Sequence, residues 1–174
     1  MKDYVKEYIE KIEEILNRIN KKIELIIIGG LAMSFYGHPR YTIDIDGEIH
    51  CDEETYNILV TALRKEGINF NIGENISGWG IVPLPEGYRD RAKKVYESDH
   101  LILKILDPLD FIFTKLTRGT EEDFQDILNV IKNYRITREM ILEREKLIRY
   151  PKDPETFFFK KKIEHLLKLM ELMH

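Results

Sequence analysis

Two carboxylates two residues apart, Asp44 and Asp46, follow a glycine pair, Gly29-Gly30. The glycines close an apolar run, Leu25 to Ile28, and the acids alternate with Ile43 and Ile45. Side chains at i and i+2 on a strand share a face, so Asp44 and Asp46 project together while the isoleucines turn to a core. Two acids on one face repel unless a cation or a basic side chain neutralises them. Hard carboxylate oxygens suit Mg²⁺ or Mn²⁺, and a glycine turn lets a phosphate chain approach the backbone. The pattern fits a metal-dependent phosphoryl-transfer site. The plainer alternative is a surface strand with two solvated acids.

Further residues fall within reach of that chemistry. Thr42 shares the strand face of Asp44 and Asp46 and could touch phosphate. Arg40 could neutralise the acids or the substrate, or form a surface salt bridge. Lys115 and Arg118, spaced i and i+3, share a helical face, as do Asp123 and Asp126 on the next helix. The lysine and arginine suit a triphosphate, and the two acids suit a supporting or capping role. Tyr88 to Lys94 holds four basic residues and an aromatic. It reads either as a patch for an RNA backbone with Tyr88 stacked on a base, or as a solvated loop. His38, His50 and His100 lack metal-ligand spacing, and the single Cys51 can form neither an internal disulfide nor a thiolate zinc site alone.

The positioning elements follow from periodicity. Tyr4, Ile9, Ile12, Ile15, Leu16 and Ile19 predict an amphipathic helix over 3–20. Strands are expected at 24–28 and 42–49, with a short helix at 31–36 that Gly37-His38-Pro39 breaks. Asp52 is a good N-cap for a helix over 52–66 that Gly67 ends. Further strands are expected at 68–71, 80–84 and 101–106, with a turn at 73–78, and 88–94 reads as irregular. Asp107 and Pro108 open a helix to about residue 116. Thr120 with Asp123 resembles a capping box for a helix over 121–132. A helix from Thr137 to near Arg149, a linker at 151–154 and an amphipathic helix over 155–172 complete the chain. The order suggests a small mixed sheet with helices on it, then a mainly helical C-terminal part.

The chain has 174 residues, 43% hydrophobic and 33% charged, which is globular rather than disordered composition. A net charge of -4 argues against a wholesale electrostatic nucleic-acid trap. No apolar run is long enough to span a membrane, and residues 1–10 lack the continuous apolar core of a signal peptide, so a cytoplasmic location is expected.

The first block resembles the nucleotidyltransferase superfamily, the polymerase-beta-like fold: an apolar strand, Gly-Gly, a spacer, then Asp-x-Asp. In detail it is similar to the abortive-infection toxin-type (AbiEii-like) branch and its uncharacterised relatives, through Gly29, Gly30, Ala32, Gly37, Arg40, Thr42, Asp44 and Asp46. A second block in the same order is Asp107-Pro108-Leu109-Asp110, Lys115-Leu116, Arg118-Gly119, Asp123 and Asp126. The resemblance spans roughly residues 24–132.

It implies an α/β (α+β) fold. A nucleotidyltransferase-like domain would cover 1–132, with a C-terminal helical extension over 133–174. It implies Asp44 and Asp46 as Mg²⁺ or Mn²⁺ ligands and catalytic residues. Lys115 and Arg118 would be catalytic cations, and Gly29, Gly30, Arg40 and Thr42 would contact the nucleotide. The implied reaction moves a nucleoside monophosphate from an NTP such as ATP to a hydroxyl on a tRNA end or a protein. The toxin-type likeness implies a toxin–antitoxin pair, with an antitoxin as partner. Superfamily members usually carry a third acid on a later strand, whereas 68–84 offers only Glu74. The rival reading is therefore a non-catalytic nucleotide- or RNA-binding module on a decayed transferase scaffold.

Overall fold

Apolar residues at helical spacing build α1, Asp3–Ile19, which buries Val5, Tyr8, Ile9, Ile12, Ile15 and Leu16 along one stripe. Each such side chain contributes roughly 1.5–3 kcal/mol when removed from water. The computed structural model describes residues 3–38, 44–73 and 82–172, so Arg40, Thr42 and Glu74 lie outside the described residues. The described chain divides into two compact units, one of Met1–Asn75 with Ala92–Leu106 and one of Ile76–Arg91 with Asp107–His174.

The first unit is a five-stranded mixed sheet with helices. Its strands are β1 (Ile23–Ile27), β2 (Asp44–His50), β3 (Asn69–Gly73), β4 (Lys93–Glu97) and β5 (Leu101–Ile105), in the order β3-β2-β1-β5-β4. β1 pairs antiparallel with β2 and parallel with β5, β2 pairs parallel with β3, and β4 pairs antiparallel with β5. Registered partners share a face, so Ile23, Leu25 and Ile27 of β1 line up with Leu101, Leu103 and Ile105 of β5, all buried. Ile45 and Ile49 of β2 are fully or almost fully buried. Tyr96, registered with Leu103, donates its hydroxyl to Glu13 of α1 at 2.7 Å, which places α1 on that apolar face.

Between β1 and β2 the chain makes a 3-10 helix, Gly30–Ser34, whose Leu31, Ala32 and Met33 are buried. The Tyr36 hydroxyl then donates to the Leu106 carbonyl at 2.7 Å, tying this turn to the end of β5. After β2, Asp52 caps α2 (Glu53–Lys65) by accepting from the Thr55 backbone N–H at 2.8 Å. The Thr55 backbone and hydroxyl, with Lys21, hold the Asp52 carboxyl down at about 2.

The second unit is helical: α3 (Tyr88–Arg91), α4 (Pro108–Arg118), α5 (Glu121–Tyr134), α6 (Arg138–Glu145) and α7 (Pro154–Glu171). The caps expected at Asp107 and Thr120 are present, Thr120 with Asp123 forms the reciprocal capping box, and Thr137 caps α6.

The mixed sheet and flanking helices match the expected fold class, with two local corrections. Residues 82–84 form no strand, since Pro83 and Pro85 lack the N–H that a ladder requires, and Gly80 and Ile81 lie outside the described residues. The stretch expected to be irregular at 88–94 instead holds α3 and the start of β4, because pairing with β5 recruits Lys93 and Lys94 into the sheet.

Gly47 sits where a Cβ would come within 2.6 Å of the Ile26 carbonyl oxygen on the neighbouring strand. Gly47→Ala is expected to cost about 1–3 kcal/mol, read as a lower urea midpoint with an unchanged slope.

Candidate active site

β2 alternates two kinds of side chain. Ile45 and Ile49 go to the apolar face, while Asp44, Asp46, Glu48 and His50 take the other. Asp44 and Asp46 are half-buried. The strand therefore presents the two acids together, as the i, i+2 spacing requires.

Asp46 is held closely. The backbone N–H groups of Ile28 and Gly29 both point at the Asp46 carbonyl oxygen, at 2.9 and 3.4 Å. A Cβ on Gly29 would lie 2.1 Å from Asp46 Oδ2, 2.5 Å from its Cβ and 2.7 Å from its Cγ. Only glycine fits there, because the carboxylate fills the space a side chain would take. The other oxygen, Oδ1, accepts from Asn71 Nδ2 of β3 at 3.2 Å. The first glycine of the pair is thus brought against the second acid of the pair. Gly30, fully within the 3-10 helix, is buried.

Next along the same face, Glu48 is 0% exposed, and its Oε1 lies 2.8 Å from His50 Nε2. Sequence reading gave Glu48 no role and weighed His50 only for metal-ligand spacing. The i+2 spacing from Asp46 to Glu48 to His50 was the signal that could have found them.

The helical unit holds Lys115 and Arg118 near the α4–α5 corner. Lys115 is buried with its Nζ 3.2 Å from Asp123 Oδ1 and 2.8 Å from Asp126 Oδ2. Arg118 closes a two-pronged pair on Asp123, Nε to Oδ2 and Nη2 to Oδ1, both at 2.7 Å, with its own side chain 63% exposed. Thr120 adds its backbone N–H and its hydroxyl to Asp123 Oδ2, at 3.2 and 2.9 Å. Burial alone would raise the Asp123 carboxyl. Hydrogen bonds from Arg118 and Thr120, with the Lys115 charge, reverse that and hold it well below the usual carboxylate range. Gly119 makes the corner in the left-handed region, φ 65°, and Lys162 of α7 donates to the Thr117 and Arg118 carbonyls at 2.7 and 3.1 Å.

A second buried carboxylate organises the same unit. Asp110 is 0% exposed and accepts from Arg91 Nε at 2.8 Å, Arg91 Nη2 at 3.0 Å and Arg144 Nη1 at 2.7 Å. Arg91 also donates to the carbonyls of Glu86 and Pro85. The basic stretch at 88–94 is therefore not a uniform surface patch: Arg91 turns inward, and Tyr88 is buried beneath Arg89. A run of charges in sequence shows neither fact, because the partner acid lies 19 residues away.

Residues 4–153 match a family model described as a nucleotidyltransferase of unknown function (DUF6036). The chain belongs to that nucleotidyltransferase family. No curated protein and no solved structure matches it. The matched span contains the Gly29–Asp46 contact, the Lys115–Asp123–Asp126 cluster and the Asp110 network, and it stops just before α7.

Two substitutions test the packing of these residues. Gly29→Ala is expected to cost about 1–3 kcal/mol, a penalty that shrinks in an Asp46→Gly background, with the coupling read from a double-mutant cycle. Asp123→Asn strips the charge that Lys115 and Arg118 face and is expected to cost about 3–5 kcal/mol near neutral pH. Because the folded Asp123 is more acidic than the unfolded one, its contribution is complete above about pH 5 and fades as pH falls through its folded value. The stability gap between wild type and Asp123→Asn, followed by urea denaturation, should therefore narrow below about pH 4.

Proposed function

We propose that the protein transfers a nucleoside monophosphate from an NTP to a hydroxyl acceptor, with a divalent cation held by Asp44 and Asp46. The observation that carries this reading is the seat of Asp46: an acid pair on one strand face, one member fixed against a glycine that no other residue could replace. The donor set fits the cation, since both groups are hard-oxygen ligands of the kind Mg²⁺ and Mn²⁺ prefer. A bound divalent ion would polarise the phosphate and lower the pKa of the attacking hydroxyl.

The chain's own residues have separable parts in this scheme. Gly29 leaves the acid-bearing face clear of side chain beside Asp46, and Gly30 continues that turn. Arg40 and Thr42, outside the described residues, are assigned to nucleotide contact. Lys115 and Arg118, in the helical unit, are the cations that the resemblance assigns to a triphosphate. Of these two, the exposed Arg118 is the better suited to meet an anion, and the buried Lys115 to hold Asp123 in place for it. In the transfer itself, the acceptor oxygen bonds to the α-phosphorus and the α–β bridging oxygen leaves with pyrophosphate. The hydroxyl proton passes to solvent or to a carboxylate of the site. The acceptor is sought among RNA ends and protein side chains, the classes that the toxin-type resemblance implies, and an antitoxin-like partner belongs to the same reading.

The test is incubation of the purified protein with Mg²⁺, each radiolabelled NTP in turn, total tRNA and cell lysate, beside an Asp44→Ala/Asp46→Ala variant. Label is expected to enter RNA or protein with the wild type and to fall to background with the variant. Mg²⁺-dependent nucleotide binding without any transfer would instead favour a binding module, and transfer undiminished in the variant would overturn the assignment of the acids.

A further inference from the structure

The helical unit holds a cavity of about 800 Å³ lined by the end of α5, the start of α6 and the end of α7. That size falls within the roughly 300–1,000 Å³ of small-molecule sites. Ile131, Ile136 and Met170, all buried, give it apolar walls. Two acids also line it, and both are engaged. Glu171 pairs with Arg138. Glu139 accepts from its own backbone N–H and from the Thr137 side chain, which hold its carboxyl below the usual range. Two more cations, Lys132 and Arg135, line the same cavity. Among the described residues no side-chain hydrogen bond or ion pair engages either of them.

Arg135 stands at a position where another residue would serve the backbone better. It ends α5 in the left-handed region, φ 51°, a place that glycine fills with the least steric cost. α4 closes its own end in that conformation with Gly119. At the end of α5 the chain carries an arginine instead, beside the cavity. A guanidinium grips an oxyanion with two parallel hydrogen bonds, and an ammonium adds a point charge.

We propose that this cavity binds an amphiphilic organic anion, with its apolar body against Ile131, Ile136 and Met170 and its anionic head on Arg135 and Lys132. The walls alone would accept any apolar molecule. The two unengaged cations discriminate against neutral and positively charged ones. An inorganic anion would gain nothing from the walls. The site lies wholly within the helical unit, and none of the residues assigned to nucleotidyl transfer lines it. It therefore stands or falls apart from that reading.

Anilinonaphthalene sulfonate, an aromatic body with a single sulfonate, is the probe, followed by fluorescence and calorimetry on the full chain. Wild type is expected to bind one equivalent. Octanoate should displace it, and octylammonium, the same chain with the opposite charge, should not. Lys132→Ala/Arg135→Gly should weaken sulfonate binding about tenfold, the loss of charge-assisted hydrogen bonds. The melting temperature should not fall, because glycine relaxes the left-handed turn. Phenylnaphthylamine, the same body without the sulfonate, should bind wild type and the double variant alike. Wild type that takes up neither the sulfonate nor octanoate overturns the proposal. So does displacement by octylammonium equal to that by octanoate, or sulfonate affinity unchanged in the double variant. A fall in affinity for the charged and neutral probes together would overturn it as well, since the substitutions would then have altered the cavity rather than the recognition of charge.

Discussion

The first unit depends on one close approach, that of Gly29 to Asp46. β1 and β2 run antiparallel, and the chain leaves β1 so that two successive N–H groups converge on the Asp46 carbonyl. That convergence leaves no room for a Cβ on Gly29, because the Asp46 side chain occupies the space. A single contact thus sets the end of one strand, the start of the 3-10 helix and the placement of a carboxylate. Glycine carries an entropic cost in folding. Here the cost is offset by a geometry that no other residue could enter.

Carboxylates are handled in two ways in this protein. In the helical unit Asp110 and Asp123 are buried and surrounded by cationic or hydroxyl donors: Arg91 and Arg144 for one, Arg118, Lys115 and Thr120 for the other. Removing one partner from such a group strands a buried charge, so these acids belong to the architecture. In the sheet unit Asp44 and Asp46 are half-buried, and the hydrogen bond that Asn71 gives Asp46 comes from a neutral amide. A neutral donor orients a carboxylate without cancelling its charge.

The helical corner shows how capping and charge pairing can share one residue. Asp123 completes the capping box with Thr120, as the Thr-x-x-Asp spacing indicated, and at the same time receives Arg118 and Lys115 from the preceding helix. Gly119 allows the tight reversal that brings the two helices' charges together, and Lys162 of α7 satisfies the carbonyls left at the end of α4. α7 lies beyond the span matched to the nucleotidyltransferase family, yet it supplies this cap.

Much of this was legible in the sequence because it depends on local periodicity. The apolar stripe of α1, the caps at Asp52, Asp107 and Thr120, and the shared face of Asp44 and Asp46 follow from spacing and from residues near in the chain. The supporting role expected of Asp123 toward Lys115 and Arg118 was legible for the same reason, since all lie within nine residues of one another. What sequence could not supply were relations between distant residues. Asn71 beside Asp46 is set by strand register, Arg91 on Asp110 by helix packing, and the burial of Tyr88 by the fold around it. β4 likewise exists only because β5 offers it a ladder. The sequence by itself determined which side chains share a strand or helix face, since that is fixed by the 2.0 and 3.6 periods of the backbone. Tertiary structure decided which neighbours those faces meet, because strand pairing and helix packing join residues that no local rule relates.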